Sequence, residues 1–354
     1  MDAKNRLIKQ YIESSRFNIP ERINEDKYLY KDILQGLLDG KTEIITYEIQ
    51  NYDCYTINKF PCIIPVPNSN KVYFVFDGYI ERINKIFNTL FESQITEELR
   101  EYIKKLACGL SAENCLISND KIGFIYSSLR ANSIGLDFDN ILVDNDLIEL
   151  IQLYFIVMHE YSHFLFEHIK LTDDLSEIKD FMTDIQDQLL EIYSVEDDET
   201  VANIVYNLKN DKSFIKECLC DSMAQSFIFK YLPITIDSYE KKLLSAKAIL
   251  LQVLIIHMIF STNLEYEIED VKKAEIKTHA RLFMLKYQMY PCFSESEYDD
   301  LEKIFDDIRD INNSVCDVFF EELYNIQDEI NNVKANQVAE TIKYSKFTDL
   351  YTGL

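Results

Sequence analysis

Residues 145–168 read NDLIELIQLYFIVMHEYSHFLFEH, and the way this stretch folds decides where the chemistry of the chain can sit. Asn145 or Asp146 offers an N-cap, and Ile148, Ile151, Tyr154, Phe155, Val157 and Met158 follow with apolar side chains around nearly every face. A helix apolar all round is a central, buried one. His159 and His163 stand four apart, which on a helix places both imidazoles on one face, close enough for one metal ion. Glu160 lies about 100° around from His159, near such an ion yet free to polarise a water and move its proton. The chain has only 5 histidines and two fall at these positions. Two histidines and a glutamate on an apolar helix would be costly without a compensating partner, so the stretch reads as an H-E-x-x-H metal site.

Upstream of this helix, Ile134 to Val143 alternates apolar with small or polar residues, as a half-exposed strand should, and Lys121 to Tyr126 also reads as a strand. Thr96 with Glu97 and Glu98 caps a helix expected to reach about Ala107. Strand-like runs occupy Glu43 to Ile49 and Lys71 to Phe76, with a loop containing Pro61, Pro65 and Pro67 between them. The first forty residues suggest two helices, the second ending at Gly40. Downstream, Thr172 to Thr200 is acidic but keeps apolar residues at helical spacing, which fits a solvated helical surface. From Ser213 the pattern is helical through Tyr239 to Phe260, Glu269 to Tyr287 and a C-terminal pair beginning near Ser294, where Ser294 and Glu297 form a capping box.

The composition supports a folded, mostly helical protein. Hydrophobic residues make up 47% of the 354 residues, enough for a sizeable core, while 7 glycines and 6 prolines are too few for a turn-rich all-β fold. A net charge of -25 speaks against a nucleic-acid partner, because such binding depends on Lys and Arg displacing counterions from phosphates. The eight cysteines include no C-x-x-C pair, so neither a zinc ribbon nor a disulfide scaffold is expected. The apolar run Ala248 to Asn263 is shorter than the roughly 20 residues a membrane span needs, and it contains Gln252 and His257. It reads as a buried helix with His257 a hydrogen-bonded core residue, and no transmembrane segment is expected. Met1-Asp2-Ala3-Lys4 lacks the pattern of a secretory signal, which makes the cytoplasm the expected location.

Catalytic zinc needs a third protein ligand and an open position. A third histidine six residues after His163, behind a glycine turn, is absent: Ile169 and Phe166 hold those places. His168 lies about 140° around the helix from His163 and reads as structural or exposed. Glu217 and Asp221 offer a better completion, one turn apart among Cys218, Met223, Ala224 and Phe227. Glu217 would bind the metal, and Asp221 would accept a hydrogen bond from the far nitrogen of a ligating histidine and fix its tautomer. An ordinary pair of surface carboxylates is the alternative.

His159, Glu160 and His163, followed by Glu217 and Asp221, resemble the gluzincin zinc metallopeptidases, whose pattern is H-E-x-x-H and, on a later helix, E-x-x-x-D. The bulky ending Phe164-Leu165-Phe166-Glu167-His168 looks most like the prokaryotic phage-exclusion (Lit-type) peptidases. The resemblance implies an α+β, predominantly helical fold: a zincin-like core with a small antiparallel-edged sheet packed beside the H-E-x-x-H helix. It also implies that His279 and Arg281, within Thr278-His279-Ala280-Arg281, bind the developing oxyanion. The usual His-Pro start is missing there, so a pair on a helix surface is the alternative. The expected organisation is an N-terminal α+β region over 1–110, the metallopeptidase core over 111–290 and a helical extension over 291–354, with one continuous domain the alternative.

The resulting expectation is a Zn2+-dependent endopeptidase with Glu160 as general base, acting on an intracellular protein such as a translation factor, in defence against phage. The resemblance also implies that an extended substrate pairs with an edge strand near the site, for which Ile134 to Val143 is the candidate. A second reading is a regulatory protease similar to the ImmA/IrrE type, cleaving a repressor with a regulatory protein partner. A third is a non-catalytic interaction protein with structural zinc, for which closure by four protein ligands would be the mark.

Overall fold

The computed structural model describes residues 23–25, 48–54, 62–66, 68–69, 71–77, 84–85, 87–89, 96–134, 146–168, 176–193, 199–232, 238–260 and 268–335. The chain divides into two compact units, one of Met1–Thr89, Leu142–His257 and Lys272–Arg309, the other of Leu90–Ile141, Met258–Val271 and Asp310–Leu354.

In the first unit, β1 (Ile23–Glu25), β2 (Glu48–Cys54), β3 (Cys62–Pro65) and β4 (Lys71–Asp77) follow the spatial order β1-β2-β4-β3, with β2 and β4 parallel. The helices of this unit position the site. The central one is α3 (Asp146–His168), in which every side chain from Ile151 through His159 is buried. Next come α4 (Ser176–Asp184), α5 (Gln186–Ile192), α6 (Glu199–Asn207) and α7 (Lys212–Tyr231). Asp211 caps α7 by accepting from Phe214 N–H at 3.0 Å, and Lys277 Nζ donates to its other oxygen at 2.6 Å. Cys218, Cys220 and Ala224 of α7 are fully buried, and side chains this small let a neighbouring helix come close. His159 faces Asp221 while His163 faces Glu217, so α3 and α7 run antiparallel.

Two further helices contribute to this unit, α8 (Tyr239–Phe260) up to His257 and α9 (Ile268–Met289) from Lys272. Ala248 to Ile256 is buried, as expected of that apolar run, and no described helix is long and apolar enough to cross a membrane. Two buried glutamines, Gln252 of α8 and Gln152 of α3, each meet an asparagine amide. Gln252 accepts from Asn84 at 2.7 Å, and Gln152 and Asn88 exchange bonds of 2.8 and 3.0 Å. The capping box at Ser294 and Glu297 is present and precedes α10 (Tyr298–Ala335). A single helix of 38 residues stands where a pair of helices is expected.

The second unit holds α1 (Thr96–Ile117), α2 (Lys121–Ser133) and the α10 residues from Asp310 on. Here Lys121 to Tyr126, expected as a strand, opens a helix. Asp120 caps it by accepting from Gly123 N–H at 3.1 Å and is held by Lys334 at 2.6 Å. Gly123 is needed for close packing, since a Cβ there would collide with Cys115 Sγ.

These observations correct the expected fold class. From Asn84 onward every described element is helical, the described strands all precede it, and the zincin-like α+β core expected around the motif helix is not seen among the described residues. The strand expected at Ile134 to Val143 lies outside the described residues apart from Ile134, a bend after α2.

Candidate metal centre

The site is built by α3 and α7. The four-residue spacing brings the rings of His159 and His163 to a centroid distance of 4.8 Å, with their Nε2 atoms 3.1 Å apart. Glu217 reaches across from α7, its Oε2 at 3.1 Å from His159 Nε2 and its Oε1 at 3.3 Å from His163 Nε2. One ligand atom from each of these three residues lies within 4.8 Å of the others, so the group could hold a metal ion.

Donor type and spacing both suit a metal. Imidazole nitrogen and carboxylate oxygen are ordinary ligands of divalent transition metals, with bonds of about 2.0–2.1 Å to zinc. Tetrahedral bonds of that length place neighbouring ligand atoms roughly 3.3–3.4 Å apart, close to the 3.1 to 3.3 Å edges seen here. Burial falls along the cluster from His159, 8% exposed, to His163 and Glu217 at 22% and 38%. Beyond them, at the outer end, Lys216 and Glu167 form an exposed pair at 3.0 Å. The ligand set therefore opens at its His163–Glu217 end.

Behind His159 stands Asp221, with no exposed side-chain surface and Oδ1 at 2.9 Å from His159 Nδ1. The approach is an ion-pair contact without aligned hydrogen-bond geometry, which leaves Nδ1 formally unpartnered. Arg281 grips the same carboxylate with two bonds, Nε to Oδ2 at 2.6 Å and Nη2 to Oδ1 at 2.8 Å. Burial works against the charge of Asp221, yet Arg281 and then His159 outweigh it and hold its pKa below the ordinary value. Burial alone would lower the pKa of His159, but Asp221 and Glu217 raise it to about 10. Burial would raise the pKa of Glu217, but His159 and His163 outweigh it and depress that pKa.

Glu160 follows on the next position of α3 and is partly buried. Burial pushes its carboxyl up to about 7, against the pull of His159 and His163. A carboxyl poised there can exchange a proton near neutral pH.

The structure thus gathers His159, His163, Glu217, Asp221 and Arg281, with Glu160 adjoining. His279 is placed differently. It is fully buried, and its Nδ1 hydrogen-bonds the hydroxyl of Tyr193 just beyond α5. Two positions along a helix amount to a turn of about 200°, and α9 accordingly offers Lys277 and Arg281 to Asp211 and Asp221 while His279 meets Tyr193. The side chains of His168 and His257 lie outside the described residues. Sequence reasoning missed Tyr193 and the Asp221–Arg281 pair. A carboxylate at a buried helix position could have announced its need for a cation, but no local pattern names which one.

Comparisons with protein-family models, with curated proteins and with solved structures find no match to this chain.

Proposed function

We propose that the chain is a zinc-dependent hydrolase of peptide bonds, with His159, His163 and Glu217 as ligands and Glu160 as general base. The observation that carries this reading is the convergence of two Nε2 atoms and one carboxylate at 3.1 to 3.3 Å, with Glu160 beside them. Three protein ligands in a set that opens on one side leave room for a reacting group, which favours catalysis over a purely structural metal.

When bound, the metal supplies Lewis acidity toward a carbonyl and a water. Each step of the proton traffic belongs to Glu160, whose carboxylate takes a proton from the attacking water and returns it to the leaving amine. Asp221 would accept a hydrogen bond from Nδ1–H of His159, so that Nε2 keeps its lone pair for the ion. The bond class and an intracellular protein substrate, with a role in phage exclusion, rest on the resemblance of His159, Glu160, His163, Glu217 and Asp221 to the gluzincin pattern.

The test compares new protein N-termini in cells expressing the parent chain or Glu160→Gln. The amide keeps shape and ligands but cannot accept the proton, so Glu160→Gln should bind zinc normally while its turnover falls by about 10² to 10⁴. Cleavage by this variant at the parental rate would refute the proposal.

A further inference from the structure

Arg281 stands behind the ligand set. Its guanidinium, 12% exposed, makes two short bonds to a carboxylate with no exposed surface, and Asp221 Oδ1 is shared between Arg281 Nη2 at 2.8 Å and His159 Nδ1 at 2.9 Å. A single bond would let the carboxylate swing about its own axis. Two parallel bonds from a rigid fork fix its plane as well as its distance. With that plane fixed, Oδ1 is set opposite His159 Nδ1, which favours a proton on Nδ1 and turns Nε2 toward Glu217 and His163.

We infer that Arg281 is a positioning residue of the metal centre, acting through Asp221 to fix the ring orientation and tautomer of His159. The inference rests on the metal reading of the cluster. It separates Arg281 from the oxyanion role that the gluzincin resemblance implies for it. In that role the side chain would act on turnover and leave metal affinity alone. As a positioning residue it acts on affinity first, in the absence of any substrate.

The experiment titrates Zn2+ against a chromophoric chelator for the full chain and for Arg281→Lys, Arg281→Gln, Asp221→Asn and the double variant Asp221→Asn/Arg281→Gln. Arg281→Gln should weaken zinc binding by about 10- to 100-fold, and Arg281→Lys, which keeps the charge without the fork, by less. The double variant should bind no more weakly than Asp221→Asn alone, because a residue that works through Asp221 then has nothing to work on. The double variant also removes both charges together. Comparing it with Asp221→Asn therefore keeps the test open if Arg281→Gln alone does not fold.

Unchanged affinity in Arg281→Gln, with or without a loss of turnover, would overturn the inference. So would losses that multiply in the double variant. A parent chain that takes up no Zn2+ would instead remove the metal reading itself, and the inference with it.

Discussion

Two charged clusters, one in each unit, look alike in composition and differ in what they leave unmatched. In the second unit, Arg130 gives Nε to Glu322 and Nη1 to Glu329, both at 2.5 Å, Tyr126 donates its hydroxyl to Glu329, and Cys108 points its thiol at Glu322 from 3.6 Å. Each of the two carboxylates there meets the Arg130 guanidinium and a second donor. Burial first, and then the neighbouring Glu322 carboxylate, push the Cys108 thiol up to about 12, so it stays a neutral donor. In the first unit, two imidazole nitrogens and a carboxylate face one another, and the matching cation, Arg281, sits one carboxylate behind them. Buried charge is therefore not by itself a sign of function. What sets the first cluster apart is the convergence of two imidazole nitrogens and a carboxylate, the donor types a divalent metal takes, on one point.

The largest expected effect breaks the comparison on the side of the metal. Glu217→Ala removes a ligand, so its zinc affinity should fall by more than the about 10- to 100-fold that loss of an orienting partner costs, while the fold persists by circular dichroism. Affinity within tenfold of the parent would mean that Glu217 is not the third ligand. His168→Ala should leave affinity unchanged in the same assay.

A smaller effect, of another kind, belongs to the second unit. Arg130→Met leaves the Glu322 carboxylate, 6% exposed, without its cation, and should cost about 3 kcal/mol of stability. Denaturant midpoints measure this, and zinc affinity should not change. A drop in zinc uptake with stability intact would contradict the division between a self-contained network and a ligand set.

The smallest effect should be the same in both units. Asp211 and Asp120 each cap a helix and each bind a lysine from a later one. Burial alone would raise both pKa values, but Lys277 with Phe214 N–H, and Lys334 with Gly123 N–H, hold them below the usual 3.8. Their contribution to stability is present above that value and is lost as pH falls through the depressed folded values. Asp211→Ala and Asp120→Ala should each cost about 1 kcal/mol at pH 7. The difference from the parent should shrink on acidification below pH 3.8, and a difference that stays constant there would exclude the ionised cap as its cause.

How legible each feature was depends on how local its cause is. His159 and His163 are separated by one turn of their own helix, and the Ser294–Glu297 box closes within four residues, so both could be read directly. Glu217 needed one further fact, the ligand count of catalytic zinc. The partner of Asp221 could not be read, because contact between α7 and α9 is made only in the folded unit. Lys121 to Tyr126 misled because Ile, Phe and Tyr suit a strand, whereas the Asp120 cap and the close packing at Gly123 commit it to a helix. In α10, Asn312, Asn313 and Ser314 resemble a break, yet no glycine or proline interrupts Tyr298–Ala335 and the helix continues.

The central claim is tested most directly by zinc X-ray absorption on the full chain as purified, with metal content measured on the same sample. The account predicts one zinc per chain in a shell of nitrogen and oxygen near 2.0–2.1 Å, with the multiple scattering of two imidazoles and no sulfur. The same spectrum should be lost in Glu217→Ala. A sulfur shell near 2.3 Å, which would place Cys218 or Cys220 on the metal, or a parent chain free of zinc after purification without chelator, would contradict it.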